Sequence, residues 1–133
     1  WKETGMLRKI AAVALGGSFG ATMRYLTVLY VDRLLRGSFP GGTLAVNLAG
    51  SLVTGTLWGV FETVVVTPTA RTFLLVGVLG GFTTFSAFSM ETVNLLRDGE
   101  MLRAIASITL NTAGSIVLAF IGYLAGCAVV MIP

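Results

Sequence analysis

Apolar residues along the chain fall into four long runs separated by short polar or charged breaks. The first runs from about Ile10 to Val31. Its roughly 22 residues would reach about 33 Å as a helix, enough to cross the hydrocarbon core of a bilayer. It is too long for the apolar core of a signal peptide and lacks a small-residue cleavage pattern, so a retained span is expected. Asp32–Gly42, with Pro40 and paired glycines, reads as a loop in which Leu34-Leu35 form a short interfacial turn. The second span is expected over Thr43–Val60, followed by a turn over Glu62–Pro68. The third begins near Arg71 and ends near Leu96. A mixed-charge turn, Arg97-Asp98-Gly99-Glu100, separates it from a fourth run that is free of charge from Ala104 to Pro133.

The third run carries an internal conflict. Gly80-Gly81-Phe82-Thr83-Thr84-Phe85-Ser86-Ala87-Phe88-Ser89 lies in its first half. Two glycines weaken a helix by roughly 1 kcal/mol each relative to alanine. Threonine and serine hydroxyls offer the backbone other hydrogen-bond partners. One reading is a helix that breaks near Gly80–Thr84 and restarts. Broken backbone at membrane depth is tolerated only where it is buried in protein or lines a watery cavity, so a break implies a site. The other reading is a continuous helix with close packing at the glycines and hydroxyls bonded to their own backbone.

Polar residues inside the other runs follow helical spacing. Asn47, Ser51 and Thr54 share one face of the second span, and Ser107, Asn111 and Ser115 form a stripe on the fourth. Each is explained by bonds between helices or, taken together, by a hydrophilic seam. Arg24 lies within the first run, where its long stem permits snorkelling or a place in a wet vestibule. Glu91 follows the third-run motif as an interfacial acid, an anchor of the re-entrant turn or a shaper of the pore vestibule. Gly16/Gly20, Gly55/Gly59 and Gly122/Gly126 are pairs that let helices approach closely.

Composition sharpens the class. The 133 residues are 55% hydrophobic and 11% charged, with a mean hydropathy of +0.88. Soluble domains carry about 25% charged residues, so this is a membrane protein. There is no histidine, one cysteine (Cys127) and a thin scatter of acids, which argues against an enzyme built on a metal cluster or a carboxylate dyad. Nothing points to nucleic acid. Residues 1–5 precede Met6 and are set aside as an added or disordered N-terminus, leaving 6–133 as one transmembrane domain. Basic residues divide almost evenly: Lys2, Arg8, Lys9 and Arg71 on one side, Arg33, Arg36, Arg97 and Arg103 on the other. Orientation follows Lys/Arg bias, so near-zero bias implies insertion both ways and an antiparallel dimer.

At this point a resemblance carries further. The third-run motif with Met90-Glu91 resembles the third-helix signature of the Fluc (CrcB) fluoride channels. Gly42-Thr43-Leu44-Ala45-Val46-Asn47 to Gly50 is similar to that family's second-helix motif. Gly16–Tyr25 is similar to its first, and Asn111-Thr112-Ala113-Gly114-Ser115 to its fourth. Ala87 departs from the pattern, where threonine is frequent. The resemblance implies an all-α fold of four transmembrane helices with the third broken, in an antiparallel dual-topology homodimer. It implies a multi-pass protein of the cell (inner) membrane, surrounded by lipid. Two pores per dimer would pass fluoride passively and selectively, protecting the cell from fluoride. By the same resemblance, Phe85, Phe88, Asn47, Ser107, Asn111 and Ser115 line the pore, and the neighbouring hydroxyls of Thr84 and Ser86 are further candidates for its lining. Arg24 and Glu91 shape the vestibule. Backbone carbonyls of Gly80 and Thr83 hold a central structural Na+. The rival from another class is a small dual-topology proton-coupled multidrug exporter, which needs a membrane-embedded carboxylate. The first run carries Arg24 instead.

Overall fold

In a computed structural model of the chain, residues 2–36 and 39–131 are described, so Trp1, the loop residues Gly37 and Ser38, and the last two residues of the fourth run lie outside the description. All regular elements among the described residues are helical. They are α1 (Lys2–Leu35), α2 (Gly41–Thr63), α3 (Pro68–Arg71), α4 (Gly80–Phe82), α5 (Phe85–Arg97), α6 (Met101–Thr109) and α7 (Ser115–Val130). A π-helical stretch, Thr72–Leu79, joins α3 to α4, and another, Leu110–Gly114, joins α6 to α7. The chain therefore forms four helical columns, of which the third spans Pro68–Arg97 and the fourth Met101–Val130.

Among the described residues, the second, third and fourth columns are long and apolar enough to cross a membrane. α1 is longer, at 34 residues, but Ser18, Thr22, Arg24 and Thr27 dilute its apolar character. Ser18, Thr22 and Thr27 each donate to the carbonyl four residues back, at 2.8 Å, so their hydroxyls need no outside partner. Such back-bonding lets polar side chains face lipid. α1 also takes in Leu34 and Leu35, which continue the helix rather than forming a separate turn. It stops because Arg36 adopts a left-handed φ of 44°. Asp32 Oδ1 then accepts from the Gly42 N–H at 2.8 Å and occupies one of the orphan donors at the start of α2.

Close approach between columns depends on missing side chains. A Cβ on Gly16 would lie 2.7 Å from the Phe73 carbonyl oxygen, so α1 presses its backbone against the third column. Gly55 and Gly59 meet the backbone of α7 around Ala119 and Tyr123, and Gly122 and Gly126 meet α2 around Leu52 and Thr56. α2 and α7 thus pack along their lengths as a reciprocal pair. This explains why the small-xxx-small spacing recurs in three columns: without a hydrophobic drive in lipid, helices associate through packing and polar contacts.

The break in the third column is narrower than the sequence indicates and falls at its middle. Helix persists through Phe82, and α5 restarts at Phe85. Thr83 (φ −77°, ψ 157°) and Thr84 (φ −150°, ψ 119°) are extended between them. The discontinuous reading of the motif is therefore the one the fold adopts.

Candidate functional site

Two extended residues remove several helical hydrogen bonds in the interior, and both backbone groups of Thr84 find new partners. The Thr84 N–H donates to Asn47 Oδ1 at 2.9 Å, and Asn47 Nδ2 donates back to the Thr84 carbonyl at 3.0 Å. A single amide side chain on α2 thus meets both backbone groups of Thr84, as a neighbouring strand would. Asn47 Nδ2 also donates to Asn111 Oδ1 at 2.8 Å. Asn111 in turn donates to the Ser107 carbonyl at 3.1 Å, and the Ser107 and Thr92 hydroxyls lie 3.4 Å apart. Asn47, Thr84, Thr92, Ser107 and Asn111 are all buried. This polar seam links α2, α5 and the fourth column.

The Thr84 side chain starts the second half-helix. Its Oγ1 accepts from the Ala87 N–H at 3.2 Å, an N-cap, and lies 3.3 Å from Ser86 Oγ. Because Ala87 is satisfied by that cap, the Thr83 carbonyl has no helical donor. Arg24 Nη1 donates to it instead, at 3.2 Å. The Gly80 carbonyl has likewise lost its donor four residues on, the Thr84 N–H, to Asn47.

Beside the break lies a cavity of about 320 Å³. Asn47, Ser51 and Thr54 line it from α2, Thr83, Thr84, Phe85 and Phe88 from the third column, and Asn111, Thr112, Ser115 and Ala119 from the fourth. Phe85 and Phe88 meet edge to face, with ring centroids 5.4 Å apart and planes at 68°. Phe85 is 75% exposed and Phe88 6% exposed, so one ring projects outward and the other is fixed in the interior. Ser115 Oγ is buried with no hydrogen-bond partner among the described residues. The cavity is therefore lined by two phenyl rings, by several Ser/Thr residues and by Ser115, whose buried hydroxyl is uncommitted among the described residues.

The expected site residues are mostly, but not all, gathered here. Ser107 is fully buried and joins the seam through Asn111 without lining the cavity, whereas Ser86 is exposed beside the Thr84 cap. Arg24 and Glu91 lie at separate places in the chain. Arg24 is at the break, while Glu91 lines a separate cavity of about 340 Å³ with Asp32, Asn94 and Asp98. Glu91 Oε1 accepts from Thr43 Oγ1 at 2.7 Å, and its Oε2 is buried without a partner among the described residues. Thr43 was missed by the sequence reading. Its signal was available, since it lies four residues before Asn47 on the same face of α2. Thr92, four residues after Phe88, was missed in the same way.

These features define a multi-pass, all-helical membrane protein with a broken span and a polar cavity at the break. Residues 11–123 match the family described as "CrcB-like protein, Camphor Resistance (CrcB)". A protein of Shewanella sediminis named "Fluoride-specific ion channel FluC" is 40% identical over 116 residues, 87% of this chain and 94% of the relative. Proteins of the same name from Shewanella loihica and Shewanella sp. strain W3-18-1 are 39% and 38% identical over the same shares. The chain belongs to the CrcB family.

The Asn47 geometry makes a direct prediction. Asn47→Leu strips partners from the buried N–H and C=O of Thr84, at roughly 1–3 kcal/mol for each unsatisfied group. Asn111→Leu removes one acceptor from Asn47 and leaves the break paired. Thermal unfolding in detergent should show the larger loss for Asn47→Leu. An equal or smaller loss would mean that the break does not depend on this amide.

Proposed function

We propose that the chain is a fluoride-selective passive ion channel, not an enzyme, and that it relieves the cell of fluoride across its inner membrane. The observation that carries this reading is a cavity lined by the rings of Phe85 and Phe88, by several Ser/Thr residues and by Ser115, whose buried hydroxyl has no partner among the described residues. Fluoride is small and strongly hydrated, so its path must replace water with hydrogen-bond donors. Hydroxyls and amides supply them, and the positive edge of a phenyl ring adds attraction without a full charge. A lining of several cations would hold the ion too tightly to release it. The similar proteins named above carry a fluoride-channel name, which supports the same ion. Nothing in those comparisons supports the proton-coupled drug exporter.

Phe85 and Phe88 are the rings assigned to the ion path, with Ser115, Thr84 and the Asn47–Asn111 pair as polar lining. Liposomes holding only this protein should release fluoride without a proton gradient. Phe85→Ile and Phe88→Ile keep bulk and apolarity but delete the ring quadrupole, so each should cut efflux by orders of magnitude in protein that still assembles. Near-normal efflux from both variants, with intact assembly on size-exclusion chromatography, would remove the rings from the path.

The functional unit of the proposal is an antiparallel dimer in which α1 also crosses the membrane, giving four spans per subunit and two pores. The balanced distribution of Lys and Arg supports insertion in both orientations. A cysteine placed in the Val64–Thr67 turn should react with an impermeant thiol reagent from both faces of the membrane. Labelling from one face alone would reject dual topology.

A central Na+ fits the break. The Gly80 and Thr83 carbonyls are both released from helical donors, and uncharged oxygen donors suit a hard cation. Among the described residues no cluster of three or more His, Cys, Asp or Glu offers another metal site. Arg24 already shares the Thr83 oxygen, and a carbonyl has a second lone pair to give. When bound, the cation would supply charge that holds opposed carbonyl dipoles together. Exchange of Na+ for a large organic cation should weaken the dimer on size-exclusion chromatography, and an unchanged dimer would argue that no such ion is needed.

A further inference from the structure

The second and third columns also meet at a groove near the start of the third column, ahead of the break motif. Arg71 ends α3, the short helix that opens the third column after the Val64–Thr67 turn. Its guanidinium carbon lies 4.9 Å from the centroid of the Trp58 ring and 5.9 Å from that of Phe61. Stacking of this kind holds the planar cation in place by its attraction to the ring faces. The groove is about 330 Å³ and is lined by Trp58, Pro68, Arg71, Thr72, Leu75 and Val76. Trp58 is 48% and Val76 58% exposed, so the groove opens on the outer surface of the columns. Among the described residues the ion pair is Arg103–Glu100, and no carboxylate pairs with Arg71.

We propose that this groove binds the headgroup of an anionic phospholipid. Its phosphate would sit on the Arg71 guanidinium, with an acyl chain along Leu75 and Val76. Three observations converge on a lipid. Arg71 lies where both spans end, the level at which headgroups lie. Tryptophan beside it is the residue favoured at the membrane interface. The groove turns apolar in the direction that leads into the third span. A guanidinium fork matches phosphate oxygens in two-point geometry. An anionic lipid is favoured over a zwitterionic one because the ammonium of the latter would face the same uncompensated arginine. A juxtamembrane cation attracts anionic lipid by about 1 kcal/mol, roughly a fivefold enrichment. This inference rests on the membrane setting and does not require fluoride conduction.

Trp58 is a built-in reporter. In a Trp1→Phe background it is the sole tryptophan, since the chain has two. The protein is reconstituted into phosphatidylcholine vesicles containing a minor fraction of brominated lipid, either phosphatidylglycerol or phosphatidylcholine. Brominated phosphatidylglycerol should quench Trp58 at several-fold lower mole fraction than brominated phosphatidylcholine. Arg71→Gln should abolish that preference, and Arg71→Lys should keep part of it. Equal quenching by the two lipids in protein with Arg71 intact would overturn the proposal, and so would an undiminished preference in Arg71→Gln. The comparison with Arg71 intact decides the matter even if Arg71→Gln fails to reconstitute.

Discussion

The fold depends on one side chain answering for missing backbone. A helix that opens within a membrane column must find new partners for its N–H and C=O groups, because lipid offers none. Asn47 supplies both for Thr84, accepting from the N–H and donating to the carbonyl. An amide can do this and still reach a third partner, since it carries an acceptor oxygen and two N–H donors on one carbon. A hydroxyl has only one donor, and a carboxylate has none when ionised. The remaining Asn47 donor goes to Asn111, so the break is tied to two columns at once.

That arrangement holds only if α2 and the fourth column stay close. The glycines of α2 and α7 let their backbones approach directly, which sets the distance at which Asn47 and Asn111 can meet. The π-helical turn Leu110–Gly114 contains Asn111, and irregular turns of this type are frequent where a helix carries a functional group. Packing and polar bonding are therefore parts of one constraint. Bulk added at the glycines would separate the asparagines, and an apolar replacement of Asn47 would leave the break unpaired.

The same economy of donors shapes the cavity. Asn47 spends both its N–H groups inside the protein, which leaves it a weaker candidate for direct ion contact than its position suggests. Ser115, on the same stripe as Asn111, keeps its hydroxyl uncommitted at the cavity wall. Arg24 adds positive charge at the break without entering the cavity lining, because the Thr83 carbonyl holds it. A neutral, donor-bearing lining with a cation one layer behind can attract an anion without trapping it.

Much of this was legible in the chain itself. Run length and hydropathy determined the columns, because a bilayer of fixed thickness demands apolar stretches of a given length. Helical spacing placed Asn47 with Ser51 and Thr54, and Asn111 with Ser115, on shared faces. The glycine pair with its hydroxyls marked the third column as the place for a break. Tertiary structure alone decided that the break occurs, since local sequence balanced a broken helix against a continuous one. The deciding group, Asn47, lies 37 residues away from Thr84. It also decided that Arg24 and Glu91 serve different places, because each was captured by a partner remote in sequence, the Thr83 carbonyl for one and the Thr43 hydroxyl for the other. Periodicity reports which face of a helix a residue occupies, but only packing determines which column that face meets.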